Sequence, residues 1–241
     1  MIKALLKKAA DFIFPPARCL GCDEPRQLDA GAPLCAVCHQ ELERLRVSDK
    51  ACGHCLSPVR SGQPCAYCAH GGMAWLDQAF APFVYRDLAR RLILRLKFGP
   101  VEAAAAPLGM EMALCVSGIR FDALVPVPLH RSRLRERGMN QSAVLAGVIH
   151  EQTGIAVMEA LAKTRRIARQ SGLPAARRAD NVAGAFKIAG DVAGLDVLLV
   201  DDVRTTGATA RECARVLREA GARSVCLLCA AVAYMGGDDG Q

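Results

Sequence analysis

Aromatic residues are scarce in this chain, which has one Trp, three Tyr and seven Phe. In the cysteine-rich first part, Tyr67 is the aromatic residue most suited to an exposed position, and Trp75 lies just beyond it. Platforms that bind single-stranded nucleic acid usually stack successive bases on several aromatic side chains. The composition therefore argues against an aromatic stacking platform in this part of the chain.

Long hydrophobic runs are also missing. No stretch reaches the roughly 18 apolar residues that a membrane-spanning helix needs, so we expect no membrane insertion. Residues 1–16 carry Lys3, Lys7, Lys8 and Asp11 within an apolar pattern of helical spacing, without a small-residue cleavage site. This pattern predicts a short amphipathic helix rather than a signal peptide, and we expect a cytoplasmic location.

The charge is moderately basic, with 31 Lys and Arg against 24 Asp and Glu and a net charge of +7. This surplus fits a polyphosphate or a nucleic acid ligand, and it fits equally well a merely basic surface. With 52% hydrophobic residues, the chain is expected to be globular rather than disordered. Its 241 residues suffice for one α/β domain and a small additional module.

Cysteine is abundant, with 12 residues in total. Eight of them form four Cys-x-x-Cys pairs. In the reducing compartment that we expect, such pairs indicate metal sites rather than disulfides. Two pairs make a tetrahedral S₄ site, which favours Zn²⁺ in a structural role. We therefore predict two zinc ions and the ligands Cys19, Cys22, Cys35, Cys38, Cys52, Cys55, Cys65 and Cys68.

The order of ligation stays open at this stage. The simplest arrangement is sequential, with the first four cysteines in one site and the last four in the other, but a cross-braced arrangement uses the same ligands. Disulfides or a redox-active pair are the alternatives to zinc. Cys226 and Cys229 share the spacing but lie in a strand-like run, where they are expected to be core residues.

Beyond residue 72 the composition changes, which predicts a zinc-ribbon module over 1–72 and a second domain over 73–241. The second part alternates strand-like and helix-like segments, typical of an α/β domain with a mostly parallel sheet. Strands are predicted over 79–85, 123–127, 155–158, 197–200 and 224–233, and helices over 87–98, 140–151 and 208–220.

The most informative motif follows the predicted strand 197–200. Two carboxylates, Asp201 and Asp202, stand at its end, and a Thr/Gly-rich loop then leads into a helix. Ligands of open α/β sheets bind at the carboxyl ends of strands, and loop amides at a helix N-terminus bind phosphate. The motif predicts a phosphate next to a vicinal diol, as in ribose 5-phosphate. A P-loop is disfavoured because Gly-x-x-x-x-Gly-Lys-Ser/Thr is missing, and a response-regulator-like acidic site would not need the Thr-Thr-Gly-x-Thr loop.

This segment resembles the signature of type I phosphoribosyltransferases, which bind phosphoribosyl pyrophosphate (PRPP) with Mg²⁺. The resemblance implies that Asp201 and Asp202 contact the ribose hydroxyls. It also implies that the 5′-phosphate is bound by a loop of five residues: Thr205, Thr206, Gly207, Ala208 and Thr209.

Basic residues elsewhere fit the same kind of protein. An Arg-dense turn follows Val125–His130, and it is suited to a pyrophosphate group, although a solvated basic loop is the alternative. We predict that His130, Arg131, Arg137 and Lys97 bind pyrophosphate. The stretch 163–181 lies where these enzymes carry a mobile loop, and the residues expected to reach the site from it are Arg169, Gln170, Ser171, Gly172 and Arg177, unless it is a plain surface loop.

The whole combination is similar to the competence protein F family, in which a double zinc ribbon precedes a phosphoribosyltransferase-like domain. The four Cys pairs, 96–99, 125–130, 137–141, 181–186 and the Asp-Asp motif carry this similarity over nearly the whole chain. The resemblance implies a role in DNA uptake during natural transformation, with single-stranded DNA and a competence helicase as candidate partners. It extends to relatives named for gluconate utilisation, which leaves the cellular role less defined than the fold.

Two positions depart from the usual motif. Thr205 stands where enzymes acting on 6-oxopurines carry an acidic general base, so simple purine salvage is disfavoured and no base is identified. Arg204 stands where an apolar residue is usual, and we expect it to face solvent rather than a phosphate.

Two hypotheses for the function remain: phosphoribosyl transfer to an unknown acceptor, or a non-catalytic protein that senses PRPP or handles single-stranded DNA. A third reading is plainer: the zinc module is only a structural cap or an oligomer contact.

Overall fold

The computed structural model describes residues 18–24, 33–59, 62–99, 101–165 and 182–234. Within them the helices are α1 (Ala36–Glu43), α2 (Ala66–Ala69), α3 (Asp87–Phe98), α4 (Val101–Cys115), α5 (Arg131–Arg137), α6 (Gln141–Thr153) and α7 (Ala208–Glu219). The strands are β1 (Ala79–Phe80), β2 (Phe83–Val84), β3 (Ala123–Pro126), β4 (Leu161–Lys163), β5 (Phe186–Ile188), β6 (Asp196–Arg204) and β7 (Ser224–Val232).

The main sheet is parallel and has the strand order β1-β7-β6-β3, with β2 paired to β7 after β1. Strand β6 is central, because it pairs with β7 along most of its length and with β3 on its other side. Residues 197–200 of β6 are fully buried, as expected for a parallel strand that is covered on both faces. The predicted class, a mostly parallel α/β sheet, is confirmed.

Several predicted elements are confirmed closely. Helix α3 spans the predicted residues, and its apolar stripe of Leu88, Leu92, Ile93 and Leu96 is completely buried. Helix α6 begins after Asn140, whose side chain accepts a hydrogen bond from the Ser142 amide at 3.2 Å. Cys229 of β7 is fully buried, as predicted for a core residue.

Other predictions need correction. The strand expected over 79–85 is divided into β1 and β2 by Ala81 and Pro82, since proline has no N–H for a ladder. The strand expected over 155–158 is reduced to a single parallel bridge between Leu124 and Val157. The Arg-dense turn after His130 is helix α5, which His130 caps by accepting from the Ser132 amide.

Helix α4 and the antiparallel pair β4–β5 are absent from the elements predicted above. Helix α4 packs against α3, α6 and β7, so it is apolar on several faces and shows no single stripe with a helical period. It also contains Pro107, a residue that usually argues against a helix interior. Strand β5 has exposed residues at Lys187 and Ile188, which hid its alternation.

The cysteine-rich part shares a core with the α/β part. Cys38, Leu42 and Leu45 belong to the same buried cluster as Leu88 and Leu92 of α3. The boundary near residue 72 stays a prediction about the chain, but the two sides of it are joined by apolar packing. The amphipathic helix predicted over 1–16 lies outside the described residues. None of the described helices combines the length and the apolar character that crossing a membrane requires.

Gly109 marks the tightest contact between helices α4 and α6. A Cβ atom at this position would lie 2.6 Å from Val148 Cγ1 and 2.7 Å from its Cβ. We expect Gly109→Ala to lower the free energy of unfolding by about 1–3 kcal/mol through overpacking, and Val148→Ala to restore it in the double variant. Gly147→Ala is the control, because that helical position has open space and should gain up to about 1 kcal/mol. Thermal unfolding of Gly109→Ala, Val148→Ala, their double variant and Gly147→Ala measures these changes in stability. A stabilised Gly109→Ala would contradict the contact.

Candidate functional site

The eight paired cysteines gather into two groups. The sulfur atoms of Cys19, Cys22, Cys35 and Cys38 lie within 4.8 Å of one another, and so do those of Cys52, Cys55, Cys65 and Cys68. The grouping is therefore the sequential one. The closest sulfur pairs are 3.4–4.0 Å apart, and tetrahedral ligands at the usual Zn–S length of about 2.3 Å would be about 3.8 Å apart. Both groups suit zinc.

The thiol electrostatics also suit a cation. Burial raises the pKa of Cys19, but the backbone amides of Cys35, Cys22 and Gly21 outweigh it and lower the pKa to about 6. Burial, followed by the neighbouring sulfurs, raises the pKa of Cys38 well above the usual range. In the second group the pKa of Cys52 is likewise lowered, to about 7, while the pKa of Cys68 is raised. A bound cation would favour the thiolate form of the cysteines whose pKa is raised.

The predicted phosphate loop connects β6 to α7. Gly207 has a φ of +69° in the left-handed region, which favours glycine, and it stands directly before the first residue of α7. Thr206 Oγ1 accepts a hydrogen bond from the Ala208 amide at 3.4 Å. The loop therefore presents the N-terminus of a 12-residue helix at the carboxyl end of the central strand.

The two carboxylates lie beside this loop. Burial and the adjacent Asp202 charge raise the pKa of Asp201 to about 7, against hydrogen bonds from the Asp202 amide (2.9 Å) and Ser142 Oγ (3.2 Å). Lys97 Nζ forms an ion pair with Asp202 at 2.8 Å. Two like charges are thus held next to each other and balanced by one lysine from the end of α3.

Side chains from two other elements, together with a helix cap, line the same cavity as the acid pair. Arg133 and Arg137 come from α5, His130 caps that helix, and Lys163 ends β4. Lys163 Nζ lies 4.9 Å from the centre of the Phe186 ring, and burial lowers its pKa. Arg137 donates to Gln141 Oε1 at 3.1 Å, while Gln141 is 2% exposed and its Nε2 has no partner among the described residues.

Together these elements enclose one cavity of about 280 Å³ at the carboxyl end of the sheet. It brings together most of the predicted site residues, namely Asp201, Asp202, Thr205, Thr206, Gly207, Ala208, Thr209, His130, Arg137 and Lys97. The side chain of Arg131 is exposed and does not line the cavity, since on helix α5 it is Arg133 and Arg137 that point inward. The five residues predicted for a mobile loop, 169–172 and 177, lie outside the described residues.

Lys163 and Ser142 are lining residues that the sequence analysis did not select. The sequence predicts a polar stretch from Lys163 onwards, because the three-residue strands β4 and β5 are too short to show a recognisable alternation. Ser142 directly follows the segment 137–141, and only its hydrogen bond to Asp201 shows that it belongs to the site.

The expectation that Arg204 faces solvent is wrong. Its side chain is 2% exposed, and its guanidinium lies 4.7 Å from the centre of the Tyr67 ring. Nη2 lies 3.4 Å from Ser57 Oγ, while Nε has no hydrogen-bond partner among the described residues. Residues of the second cysteine-rich segment, Tyr67 and Ser57, therefore cover the Arg204 side chain.

Comparison with known proteins follows the same division. The double zinc ribbon domain model matches residues 9–69. The DNA utilization protein YhgH of Salmonella typhimurium is 32% identical over 89% of this chain and 96% of its own. Competence protein F of Haemophilus influenzae is 29% identical over 86% and 93%. A glutamine PRPP amidotransferase structure from B. subtilis shares 27% identity over 56% of this chain and 30% of its own, with a TM-score of 0.40.

The fold and the cysteine groups define a protein with a double zinc ribbon joined to a mostly parallel α/β domain. More specifically, the chain belongs to the family of DNA utilization protein YhgH and competence protein F.

Asp201 should make stability depend on pH. Its pKa in the folded chain is about 7, and in the unfolded chain it is near 3.9. The unfolded state therefore binds fewer protons between these values, and the contribution of Asp201 to stability is lost as the pH rises from about 4 to 7. At pH 8 we expect Asp201→Asn to unfold at a higher temperature than the wild type, with a free energy of unfolding larger by about a few kcal/mol. Near pH 4 the difference should vanish.

The control for this experiment is Asp196→Asn at the other end of β6. Hydrogen bonds from Arg223 and Ser224 lower the pKa of Asp196 to about 2. Its contribution has the opposite sign, being present above about pH 4 and lost as the pH falls towards 2. Equal pH profiles for the two variants in thermal unfolding would contradict this account of the acid pair.

Proposed function

We propose that the cavity binds PRPP together with Mg²⁺, and that the protein transfers the phosphoribosyl group to an acceptor with release of pyrophosphate. The observation that carries the proposal is that the acid pair and the phosphate loop line the same cavity as several cations. Lys97, Lys163, Arg133 and Arg137 line the same cavity as the two carboxylates. A ligand with several negative charges and a diol fits this distribution of charge.

The parts of PRPP have separate partners in this proposal. The amides of the loop 205–209 receive the 5′-phosphate, since they open helix α7. The carboxylates of Asp201 and Asp202 accept hydrogen bonds from the ribose hydroxyls. The cations of α5 and β4 line the same cavity and receive the pyrophosphate. Two features favour a ligand that brings both a cation and acceptor oxygens: the repulsion between the two carboxylates, and Gln141 Nε2, which has no partner among the described residues.

In the reaction, a nucleophile forms a bond to the anomeric carbon while the bond to pyrophosphate breaks, and the released pyrophosphate takes up the proton of the nucleophile. Mg²⁺ supplies charge neutralisation for the leaving pyrophosphate. Arg133, Arg137 and Lys163 stabilise the negative charge that develops there, while the loop and the acid pair hold the ribose 5-phosphate in place. Asp201 and Asp202 are the carboxylates among the described lining residues, so no separate general base is assigned.

The cellular role is proposed from the relatives. Their names refer to DNA utilization and competence, which supports a role in the uptake or use of DNA in the cytoplasm, with single-stranded DNA and a competence helicase as partners. The second candidate is a protein that binds PRPP without turnover and handles DNA in response to it. Thr205 favours this candidate, because the loop carries no acid where a base would stand.

Both cysteine groups are proposed to hold structural zinc, since four sulfur ligands leave no open coordination position. We expect two Zn²⁺ per chain by elemental analysis, and one in Cys19→Ser or Cys52→Ser. Cys226→Ser is the matched control, because Cys226 and Cys229 share the spacing in β7 and should leave both ions in place. A zinc content that falls in the control, or stays at two in Cys52→Ser, would contradict the assignment.

Calorimetric titration with PRPP tests the main proposal. We expect Mg²⁺-dependent binding to the wild type and its loss in Asp201→Asn/Asp202→Asn. The two amides carry no negative charge, so they accept more weakly from the ribose hydroxyls and attract no cation. Asp196→Asn, on the same strand but away from the cavity, should bind as the wild type does. Zinc content and thermal unfolding establish that each variant is folded.

If a folded, zinc-loaded wild type does not bind PRPP, the proposal is overturned. If PRPP binds, a screen of acceptors for pyrophosphate release separates the two candidates. Release with an acceptor supports transfer, whereas binding without release and with a salt-dependent DNA affinity supports the non-catalytic protein.

A further inference from the structure

Tyr67 links the second cysteine group to the phosphate loop. It lies on α2 between the ligands Cys65 and Cys68, and its Oη donates a hydrogen bond to the Thr206 carbonyl at 3.2 Å. The two residues are far apart in sequence, so the contact joins the cysteine-rich part to the loop that leads into α7.

The surroundings of Tyr67 hold it closely in this position. Arg204 lies against the ring face at 4.7 Å. A Cβ atom on Gly72 would lie 2.4 Å from the ring, and one on Gly207 would lie 2.1 Å from Oη. Both glycines therefore leave the space that the tyrosine fills. Arg211 Nη1 completes the contact by donating to the carbonyls of Thr206 (2.8 Å) and Gly72 (3.2 Å).

This contact has a direct consequence for the loop. In a planar trans peptide the N–H points opposite to the C=O. Fixing the Thr206 carbonyl towards Tyr67 and Arg211 therefore directs the Gly207 N–H away from them. Gly207 lines the cavity, and an amide that is oriented before a phosphate arrives needs no reordering when it binds.

We propose that Tyr67 is a positioning residue for the phosphate loop, and that the second cysteine group with its zinc thereby sets the affinity of the cavity for the 5′-phosphate of its ligand. This inference rests on the proposed PRPP site. Binding energies at the two places are then coupled, so loss of the second zinc weakens phosphate binding.

The first cysteine group supports a different part of the fold and provides an internal control. Glu41 of α1 accepts from Arg91 Nη2 of α3 at 3.0 Å, and a Cβ atom on Gly21 would lie 3.1 Å from Leu88 Cδ1. Neither contact reaches the loop 205–209. Glu41→Gln therefore disturbs the join between the cysteine-rich part and the α/β part without touching Tyr67.

The test is Tyr67→Phe, which removes the hydroxyl and keeps the ring over Arg204. Losing one neutral hydrogen bond corresponds to about a fivefold weaker affinity. We expect this loss for PRPP with Mg²⁺ and for ribose 5-phosphate, whereas pyrophosphate, which meets the cations of α5 and β4, should bind unchanged. Hydrogen exchange of the amides 205–209 should become faster, with zinc content and unfolding temperature preserved. Glu41→Gln should leave all three affinities as in the wild type.

Each outcome decides the inference. Equal weakening of pyrophosphate and ribose 5-phosphate would indicate general damage and overturn it, and so would unchanged affinities with unchanged exchange. If the wild type binds no PRPP, the proposed function fails separately. The role of Tyr67 is then decided by exchange of the amides 205–209 and by binding of inorganic phosphate, both of which must still change in Tyr67→Phe but not in Glu41→Gln.

Discussion

The adjacent carboxylates of Asp201 and Asp202 are the constraint on which the site depends. In β6, four fully buried apolar residues are followed directly by two like charges. The burial that the sheet imposes makes their repulsion costly. The surrounding structure offsets this cost from three sides. Lys97 comes from the end of α3, Ser142 from the start of α6, and the amide of Asp202 from the strand itself.

The same constraint explains why cations also line the cavity. The acid pair lines the cavity, and α5 and β4 bring arginines and a lysine to the same cavity. Lys97 is paired with Asp202, and further cations line the same cavity as the two carboxylates. This combination of charges favours a ligand that carries both hydroxyls and phosphates. Lys163 illustrates the cost, because its partial burial lowers its pKa while the Phe186 ring partly compensates.

The cysteine groups are integrated into the α/β part rather than attached to its surface. The first packs α1 onto α3, whose last turn carries Lys97. The second places Tyr67 and Ser57 against Arg204 and the phosphate loop. Small cysteine-rich loops bury too little apolar surface to fold alone, so metal binding there would stabilise elements on two sides of the cavity.

The sequence by itself determined the chemistry and the strongest elements. The Cys-x-x-Cys pairs, the apolar strand before Asp201, the stripe of α3 and the glycine at the start of α7 are local patterns, and local patterns report directly on turns, periodicity and capping. Tertiary structure decided what depends on contacts between distant residues: the sequential grouping of the cysteines, the inward turn of Arg133 instead of Arg131, the place of Lys163, and the burial of Arg204 under Tyr67. A spacing states which residues are available to a site, but the direction of a side chain and the surface that covers it are fixed only when separate segments pack together.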